Sequence, residues 1–256
     1  MIKQLHCEDD WRVVLSATEA LGRVGAKQAL PEIEKISRDY WYPPVRAAAI
    51  TSMVSIRTGE YPASKYHPGN FALEFFEYWN VGHDMDMLGN EEIQRITLPS
   101  VKAAEAIPKA VIAAGRKNDI KGLSCGLALE HGYLAGSDRG EWGGEIVFFD
   151  SKYKPTIILS ENTQAIYRTS NQIYALTGLA HMGMNHGIVY QLRRDENGKW
   201  TAQPWRALPG EPRSSRLLKN GSLFVNCVGG IVVVSPEGEI KSLTRKEALG
   251  ESASSR

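Results

Sequence analysis

Two kinds of hydrophobic spacing divide this chain. Near the N-terminus apolar positions recur at intervals of three and four, as in Val14, Ala17, Leu21 and Val24, which places them on one face of a helix. From about residue 118 the apolar residues instead form short runs that alternate with turns rich in glycine, asparagine and proline, a pattern typical of β-strands. The chain is therefore predicted to be α+β, with helices first and strands afterwards.

Three helices are predicted before residue 58. The first ends at Gly22 and Gly25, because glycine commonly follows a helix. The second carries an apolar stripe from Ala29 to Ile36 and tolerates Pro31 in its first turn. Pro43-Pro44 then breaks the chain before the third helix begins.

Three strand-rich segments in the second half share one layout. Their glycine-led strands begin at residues 144, 187 and 230, 43 residues apart. Each follows another short apolar strand and precedes a turn and one more strand. A period near 43 filled by short strands is the signature of propeller blades. The predicted blades run over about residues 118–161, 162–209 and 210–246.

The predicted domain organisation follows from these patterns. Residues 1–58 form a helical unit, 59–117 a mixed helical and loop connector, 118–246 a β-propeller-like domain of about three antiparallel sheet repeats, and 247–256 a flexible tail. Within the connector, the aromatic run 71–79 favours a short helix, and apolar spacing favours another helix, over about residues 101–112, that is kinked at Pro108. Three blades are fewer than a closed propeller needs, so either further blades lie in the connector or the array is open and covered by helices at its ends. The second arrangement is favoured.

Both halves resemble known scaffold architectures. The string Val14-x-x-Ala17-x-x-Ala20-Leu21-Gly22-x-Val24-Gly25 resembles a HEAT-like repeat of the phycobilin-lyase type, and its start recurs 31 residues later as Val45-Arg46-x-Ala48. This resemblance covers about residues 10–58, fewer than two repeats, and implies stacked helices that lean on the rest of the chain or on another protein. An ordinary helical cap on the β-domain is the alternative. A helical-repeat unit joined to a small propeller-like domain is similar to certain bacterial immunity proteins, which implies binding to a cognate toxin.

Composition narrows the partners and the compartment. The 256 residues include 30 basic and 29 acidic side chains, a net charge of +1, so neither nucleic acid nor an anionic membrane is an expected partner. The N-terminal segment reaches carboxylates before any apolar run develops, and no stretch approaches the roughly 18 apolar residues of a membrane span. The three cysteines form no CxxC pair, which favours reduced thiols. A cytoplasmic protein is expected.

The connection between the second strand and the anchor glycine differs most among the three repeats. It is long in the first two, at residues 137–143 and 177–186, and short in the third, at 226–229. Insertions in repeat arrays collect on one face, which is often the binding face. Tryptophan and arginine are typical of interfaces, and methionine adapts to a partner. Unless these are merely longer hairpins, the predicted partner-binding residues are Asp138, Arg139, Glu141, Trp142, His181, Met182, Met184 and His186.

No motif is recognised that by itself specifies a chemical mechanism. The chain lacks an HExxH sequence, and the segment His83–Asp86 lacks the later glycine and glutamate of a calcium loop. No catalytic residue, metal or cofactor is therefore predicted, and a non-catalytic protein-binding protein is the first hypothesis. One alternative is a propeller-type hydrolase or lyase, with His131, Asp138, His181 and His186 around a pocket. Another is an assembly subunit that pairs through Trp11, Trp41 and Tyr42.

Overall fold

A computed structural model describes residues 1–7, 10–60, 88, 90–94, 96, 106–182 and 184–250. The helix predicted over 71–79 and the segment His83–Asp86 lie outside these residues. Six helices and three four-stranded antiparallel sheets are described, which makes the fold mixed α+β. The chain divides into two compact units, 1–81 with 240–242, and 82–239 with 243–256.

The first unit is helical, and its three helices confirm the predicted boundaries. They are α1 (Trp11–Arg23), α2 (Leu30–Asp39) and α3 (Pro43–Thr58). Asp10 caps α1 by accepting a hydrogen bond from the backbone N–H of Arg12 at 3.0 Å. Prolines occupy the first turns of α2 and α3, where no helical N–H partner is lost. Both α1 and α2 pack on α3.

Two of the aromatic residues proposed for subunit pairing belong to the core. Trp11 and Tyr42 are each only 2% exposed, and their ring centroids lie 4.7 Å apart, edge to face. Trp41 is half-buried and stacks on Tyr42 at 5.0 Å. The prediction that Trp11 and Tyr42 form an intermolecular surface is therefore wrong, because packing within the chain already buries them.

The strands form three antiparallel sheets, each of four strands that follow one another in sequence. They belong to the second unit except for residues 240–242 of the last strand, which are grouped with the first. The first sheet has β1 (Leu123–Leu129), β2 (Gly132–Ser137), β3 (Ile146–Asp150) and β4 (Pro155–Leu159). The second has β5 (Thr163–Arg168), β6 (Ile173–His181), β7 (Met184–Arg194) and β8 (Trp200–Ala207). The third has β9 (Pro212–Leu217), β10 (Leu223–Cys227), β11 (Gly230–Val234) and β12 (Ile240–Leu243). No closed barrel or propeller is identified among the described residues.

The three sheets repeat one another in backbone detail. In each, the first strand carries a one-residue bulge near its start, where it pairs with the end of the second strand. In each sheet, the pairing of the first two strands ends at one residue of the second strand. The N–H of the next residue donates to a backbone carbonyl just before the first strand. These hydrogen bonds are Asp138 to Gly122 (3.3 Å), Gly178 to Asn162 (3.0 Å) and Val228 to Glu211 (2.9 Å). The repeat inferred from sequence is thus present in three dimensions.

The third strands show that one of the three predicted anchor glycines is misplaced by one residue. Equivalent residues of the second strands pair with Ile146, Val189 and Ile231, which lie 43 and 42 residues apart. Two residues before each of these come the equivalent glycines, which are Gly144, Gly187 and Gly229. The predicted third anchor, Gly230, is one residue out of register, because the Gly229-Gly230 pair offers two candidates to a sequence comparison.

The first two anchor glycines are required by close packing. A Cβ atom on Gly144 would lie 2.7 Å from the Cα of Asn162, and a Cβ atom on Gly187 would collide with the carbonyl oxygen of Gly210. Asn162 and Gly210 belong to the links that lead from one sheet to the next. Glycine is therefore needed where the third strand of each sheet passes beneath the following link.

Helical segments cover the first and third sheets. Val111 of α5 (Lys109–Lys117) packs with Ile120 against Phe149 and its neighbours in the first sheet. The short helix α4 (Asn90–Gln94) lies between Leu88 and Ile96 in the chain. Leu88 and Ile96 pack with the third sheet, together with α6 (Arg245–Leu249). The second sheet packs against the first through a separate apolar cluster. Helical residues therefore pack on the first and third sheets in the described part of the chain.

Two predicted elements need correction. Pro108 does not kink a helix: residues 106–108 are not helical, and α5 begins directly after this proline, since a proline is compatible with a helix start but not with its interior. Residues 247–249, predicted in a flexible tail, belong to α6, where Ala248 is fully buried. Thr244 and Glu247 form a capping box that starts this helix.

Candidate functional site

The first long connection, residues 138–145, forms a compact loop at the end of β2, here called the first rim loop. A single 3-10 turn, Gly140–Trp142, occupies its centre. The backbone φ angles of Gly140 and Gly143 are +59° and +77°, values that other residues adopt only with strain. The two glycines therefore let the chain reverse sharply and bring the loop back to β3.

Polar side chains fix the first rim loop to the second sheet. Asp138 accepts hydrogen bonds at Oδ1 from the N–H of Gly140 (2.9 Å) and at Oδ2 from Nε2 of Gln164 (2.6 Å). The N–H of Arg139 donates to Oδ1 of Asn162 at 3.1 Å. Two of the predicted partner-binding residues, Asp138 and Arg139, therefore have structural contacts that hold the loop in place.

A second set of contacts closes the loop on itself. Nη2 of Arg139 donates to Oε1 of Glu145 at 2.6 Å, and the other carboxylate oxygen of Glu145 accepts from Oγ of Ser137 at 2.7 Å. The Arg139 and Glu145 side chains are 27% and 16% exposed, so this ion pair is partly shielded from water. The loop is therefore ordered before any partner arrives.

The second long connection is a longer β-hairpin, which is the alternative that the sequence left open for residues 177–186. The pairing of β6 with β7 continues past Gly178 and Gly187 to the pair His181 and Met184. Only two residues then remain for the turn, and Met182 there has a φ of +45°, as tight hairpin turns require. The hairpin reaches four residue pairs beyond Thr177, the position equivalent to Cys227 at the end of β10.

The two rim elements meet at a contact between a histidine and a glutamate. Nε2 of His181 in the hairpin lies 2.9 Å from Oε2 of Glu141 in the first rim loop. On the adjoining part of the hairpin, Nε2 of His186 lies 3.7 Å from Oε2 of Glu161. The structure thus brings Glu141 and His181 together, as the predicted common surface requires.

The exposed residues of this surface are apolar. Met182 and Trp142 are 85% and 78% exposed, the highest values for large hydrophobic side chains among the described residues, and Met184 is 55% exposed. Each neighbours a member of the Glu141–His181 pair, either in sequence or by strand pairing. We call this surface, made of Glu141, Trp142, His181, Met182 and Met184, the rim surface.

Sequence reasoning missed Glu211, which supports the hairpin from the third sheet. Its Oε2 accepts from the N–H of Ala180 (3.1 Å) and from Nη2 of Arg213 (2.9 Å). Burial raises the pKa of the Glu211 carboxyl, and the nearby Arg213 guanidinium opposes this effect. Glu211 occupies the same repeat position as Asn162, so a comparison of residues before the first strands could have identified both as ties between sheets.

The histidines proposed for a catalytic pocket do not converge. His131 precedes β2 and lies 3.8 Å from Glu130, whereas Asp138 follows β2; a six-residue strand spans about 20 Å. His181 and His186 contact two different glutamates. Within the described ranges, no group of three or more histidine, cysteine or acidic side chains could hold a metal ion.

Comparison with known proteins assigns no family. The sequence matches no protein-family model. It also matches no curated protein. In the part of the chain that the structure describes, no helix is long and apolar enough to cross a membrane.

Proposed function

We propose that this chain is a non-catalytic protein-binding protein of the cytoplasm, an immunity protein that binds and neutralises a cognate bacterial toxin. The observation that carries the proposal is the exposure of Trp142 and Met182 on two rim elements that polar contacts hold in place. Exposed large apolar side chains that lie close together form a patch, and such patches commonly mark interaction sites. The proposal therefore assigns binding to the rim surface.

The architecture proposed for this function is a scaffold with two parts. The three sheets are proposed to be propeller-like blades, an interpretation supported by their shared bulges and by the equivalent hydrogen bonds at the ends of their second strands. The helices α1 to α3 are proposed to be a HEAT-like unit. Scaffolds of both kinds present side chains on rigid elements and bind through loops at one edge.

Rigid presentation makes the rim surface suited to binding. Interface tryptophans contribute most when they enter a pocket of the partner and lose all contact with water. Because Arg139, Asn162 and Glu211 already hold the rim elements, binding would not have to order these backbones. Methionine side chains adapt their shape to a partner.

The chemistry of the rim surface also limits the partner. Around the apolar residues lie Glu141 and Glu161, each facing a histidine, so the surrounding charge is mixed. The whole chain has a net charge of only +1, which provides little long-range attraction. The proposed partner is therefore a protein with an apolar pocket for Trp142 and local polar complements, and a strongly charged surface is not required.

The test uses the protein encoded beside this one as the candidate toxin. The two proteins are produced together and separately, and bacterial growth and the mass of the purified complex are measured. The proposal predicts that growth arrest by the neighbour is relieved and that the two chains elute as one stable complex. Protection should weaken in Met182→Ala and remain in Ile157→Ala, which truncates a side chain that is 54% exposed elsewhere on the first sheet. Growth arrest that persists with no complex would refute the proposal.

A further inference from the structure

The second sheet carries a cleft at the end opposite the rim surface. The cleft has a volume of about 450 Å³ and is lined by the turn 169–172 together with Arg168, Ile173, residues 192–194 and Trp200. β6 runs from Ile173 at the cleft to His181 at the rim, nine residues, or about 30 Å of extended chain. The cleft is therefore separate from the rim surface.

Strand pairing places two arginines on one face of the sheet. Arg168 pairs directly with Ile173, and Ile173 pairs with Leu192. Arg194 is two residues beyond Leu192 and pairs with Trp200. Because side chains alternate along a strand, Arg168 and Arg194 lie on the same face, with the apolar side chains between them.

Both guanidinium groups retain donors for a ligand. Nη2 of Arg168 donates to the carbonyl of Ala128 at 3.0 Å, and Nε of Arg194 donates to the carbonyl of Gly198 at 3.1 Å. Neither group is paired with a carboxylate among the described residues. A guanidinium has five N–H donors, so most of them remain available in each arginine.

Apolar side chains on the same face also line the cleft. Ile173 and Trp200 are half-buried and pack on the apolar cluster that contains Leu192, which is itself only 3% exposed. The indole Nε1 of Trp200 is buried and has no hydrogen-bond partner among the described residues. The Arg194 guanidinium lies 5.8 Å from the centre of the Phe148 ring, which helps to orient it.

We propose that this cleft binds a small amphipathic anion, in which a phosphate or carboxylate group is attached to a flat apolar body. Arginine binds such groups through two parallel hydrogen bonds, and two guanidinium groups on one face can hold one anionic group between them. The apolar body would lie on Ile173 and Trp200, which are half-buried and line the cleft. The proposal does not depend on toxin binding at the rim surface.

The test compares four probes by calorimetric titration of the full chain. Phenyl phosphate and benzoate carry both features, inorganic phosphate lacks the apolar body, and benzyl alcohol lacks the charge. At least one aromatic anion should bind at least about tenfold more tightly than either incomplete probe, and the tighter of the two identifies the anionic group. Equal affinity for inorganic phosphate, equal affinity for benzyl alcohol, or no binding of either aromatic anion would overturn the proposal.

Variants separate direct contact from general charge. Arg168→Gln and Arg194→Gln should each weaken binding by about tenfold or more, the usual effect of removing a hydrogen bond to a charged group. Arg193→Gln is the matched control: Arg193 borders the cleft, but strand alternation turns its side chain to the other face, where Nη2 donates to Gln191 at 2.8 Å. It should change affinity less than about twofold. Equal losses of affinity in all three variants would overturn the proposal. If Arg168→Gln does not fold, Arg168→Lys takes its place.

Discussion

Replacing Asn226 by alanine should destabilise the third sheet more than any exposed substitution in it. Asn226 lies in β10 and is fully buried. Its Oδ1 accepts from the N–H of Leu88 at 2.9 Å, and its Nδ2 donates to the carbonyl of Leu88 at 3.1 Å. The side chain thus pairs both polar backbone groups of a residue 138 positions away.

The magnitude follows from what Asn226→Ala leaves behind. Two backbone groups of Leu88 lose their partners, and each unsatisfied buried group costs about 1–3 kcal/mol. A loss of about 2–5 kcal/mol in the free energy of unfolding is expected, with part of the cost avoided if the segment around Leu88 detaches into water. Far-UV circular dichroism during urea titration measures this loss.

The matched control is Asn220→Ala, in the turn that precedes the same strand. Asn220 is exposed and accepts one hydrogen bond, from the N–H of Ser222 at 3.1 Å. Its replacement should cost less than about 1 kcal/mol, because water can solvate the freed group. If Asn226→Ala were as mild as this control, the inferred attachment of Leu88 to the third sheet would be refuted.

Three further predictions concern close packing, a carboxyl group and two thiols. Gly187→Ala should lower the free energy of unfolding by more than about 2 kcal/mol, because its Cβ would meet backbone atoms. The control Gly140→Ala places its Cβ in open space and should cost only about 1 kcal/mol, because of the positive φ of Gly140. Equal urea midpoints for the two variants would contradict this. Burial raises the pKa of Glu211, so protonation of its carboxyl favours the folded state. The stabilising contribution is therefore present at acidic pH and is lost as pH rises through the raised pKa. Urea titrations of the unmodified protein and of Glu211→Gln across about pH 4–7 should show this change in their stability difference, and a constant difference would contradict it. Burial raises the thiol pKa of Cys125 to about 12, and it also raises the thiol pKa of Cys227. Both thiols should therefore react slowly with a thiol reagent at neutral pH until urea unfolds the protein. Rapid modification of either cysteine in the native chain would contradict their burial.

Periodic features of this fold are readable from the sequence, because they arise from local patterns. The stripe that includes Val14 and Leu21 predicts α1, since a helix places such residues on one face. The glycine-led strands predict the repeat of sheets, because an equivalent packing constraint recurs at Gly144 and Gly187. The register of the third copy was missed by one residue, since pattern alone does not distinguish Gly229 from Gly230.

Other features were missed although local signals exist. The longer hairpin at residues 177–186 was only the alternative interpretation, because glycines and histidines interrupt its apolar pattern. Its tight turn at Met182 decides the conformation. The C-terminal helix α6 was missed although Thr244 and Glu247 have the spacing of a capping box. Both elements are too short to produce a clear period.

The contacts that assemble the rim surface could not be predicted from one sequence. Glu141 and His181 are brought together only because the first and second sheets pack against each other. Glu211 is an ordinary charged residue in the sequence, and its role depends on the N–H of Ala180, 31 residues earlier. Such pairings depend on tertiary geometry, which leaves no spacing rule along the chain.

The most direct test of the rim surface is the affinity of a single variant for the proposed toxin. Trp142→Ala removes a side chain that is 78% exposed, so it should leave the stability of the free protein nearly unchanged. If Trp142 is central to the interface, calorimetric titration should show affinity reduced by about 30-fold or more, while Ile157→Ala stays within about twofold of the unmodified protein. Full affinity in Trp142→Ala, measured with the same partner, would contradict the assignment of binding to this surface.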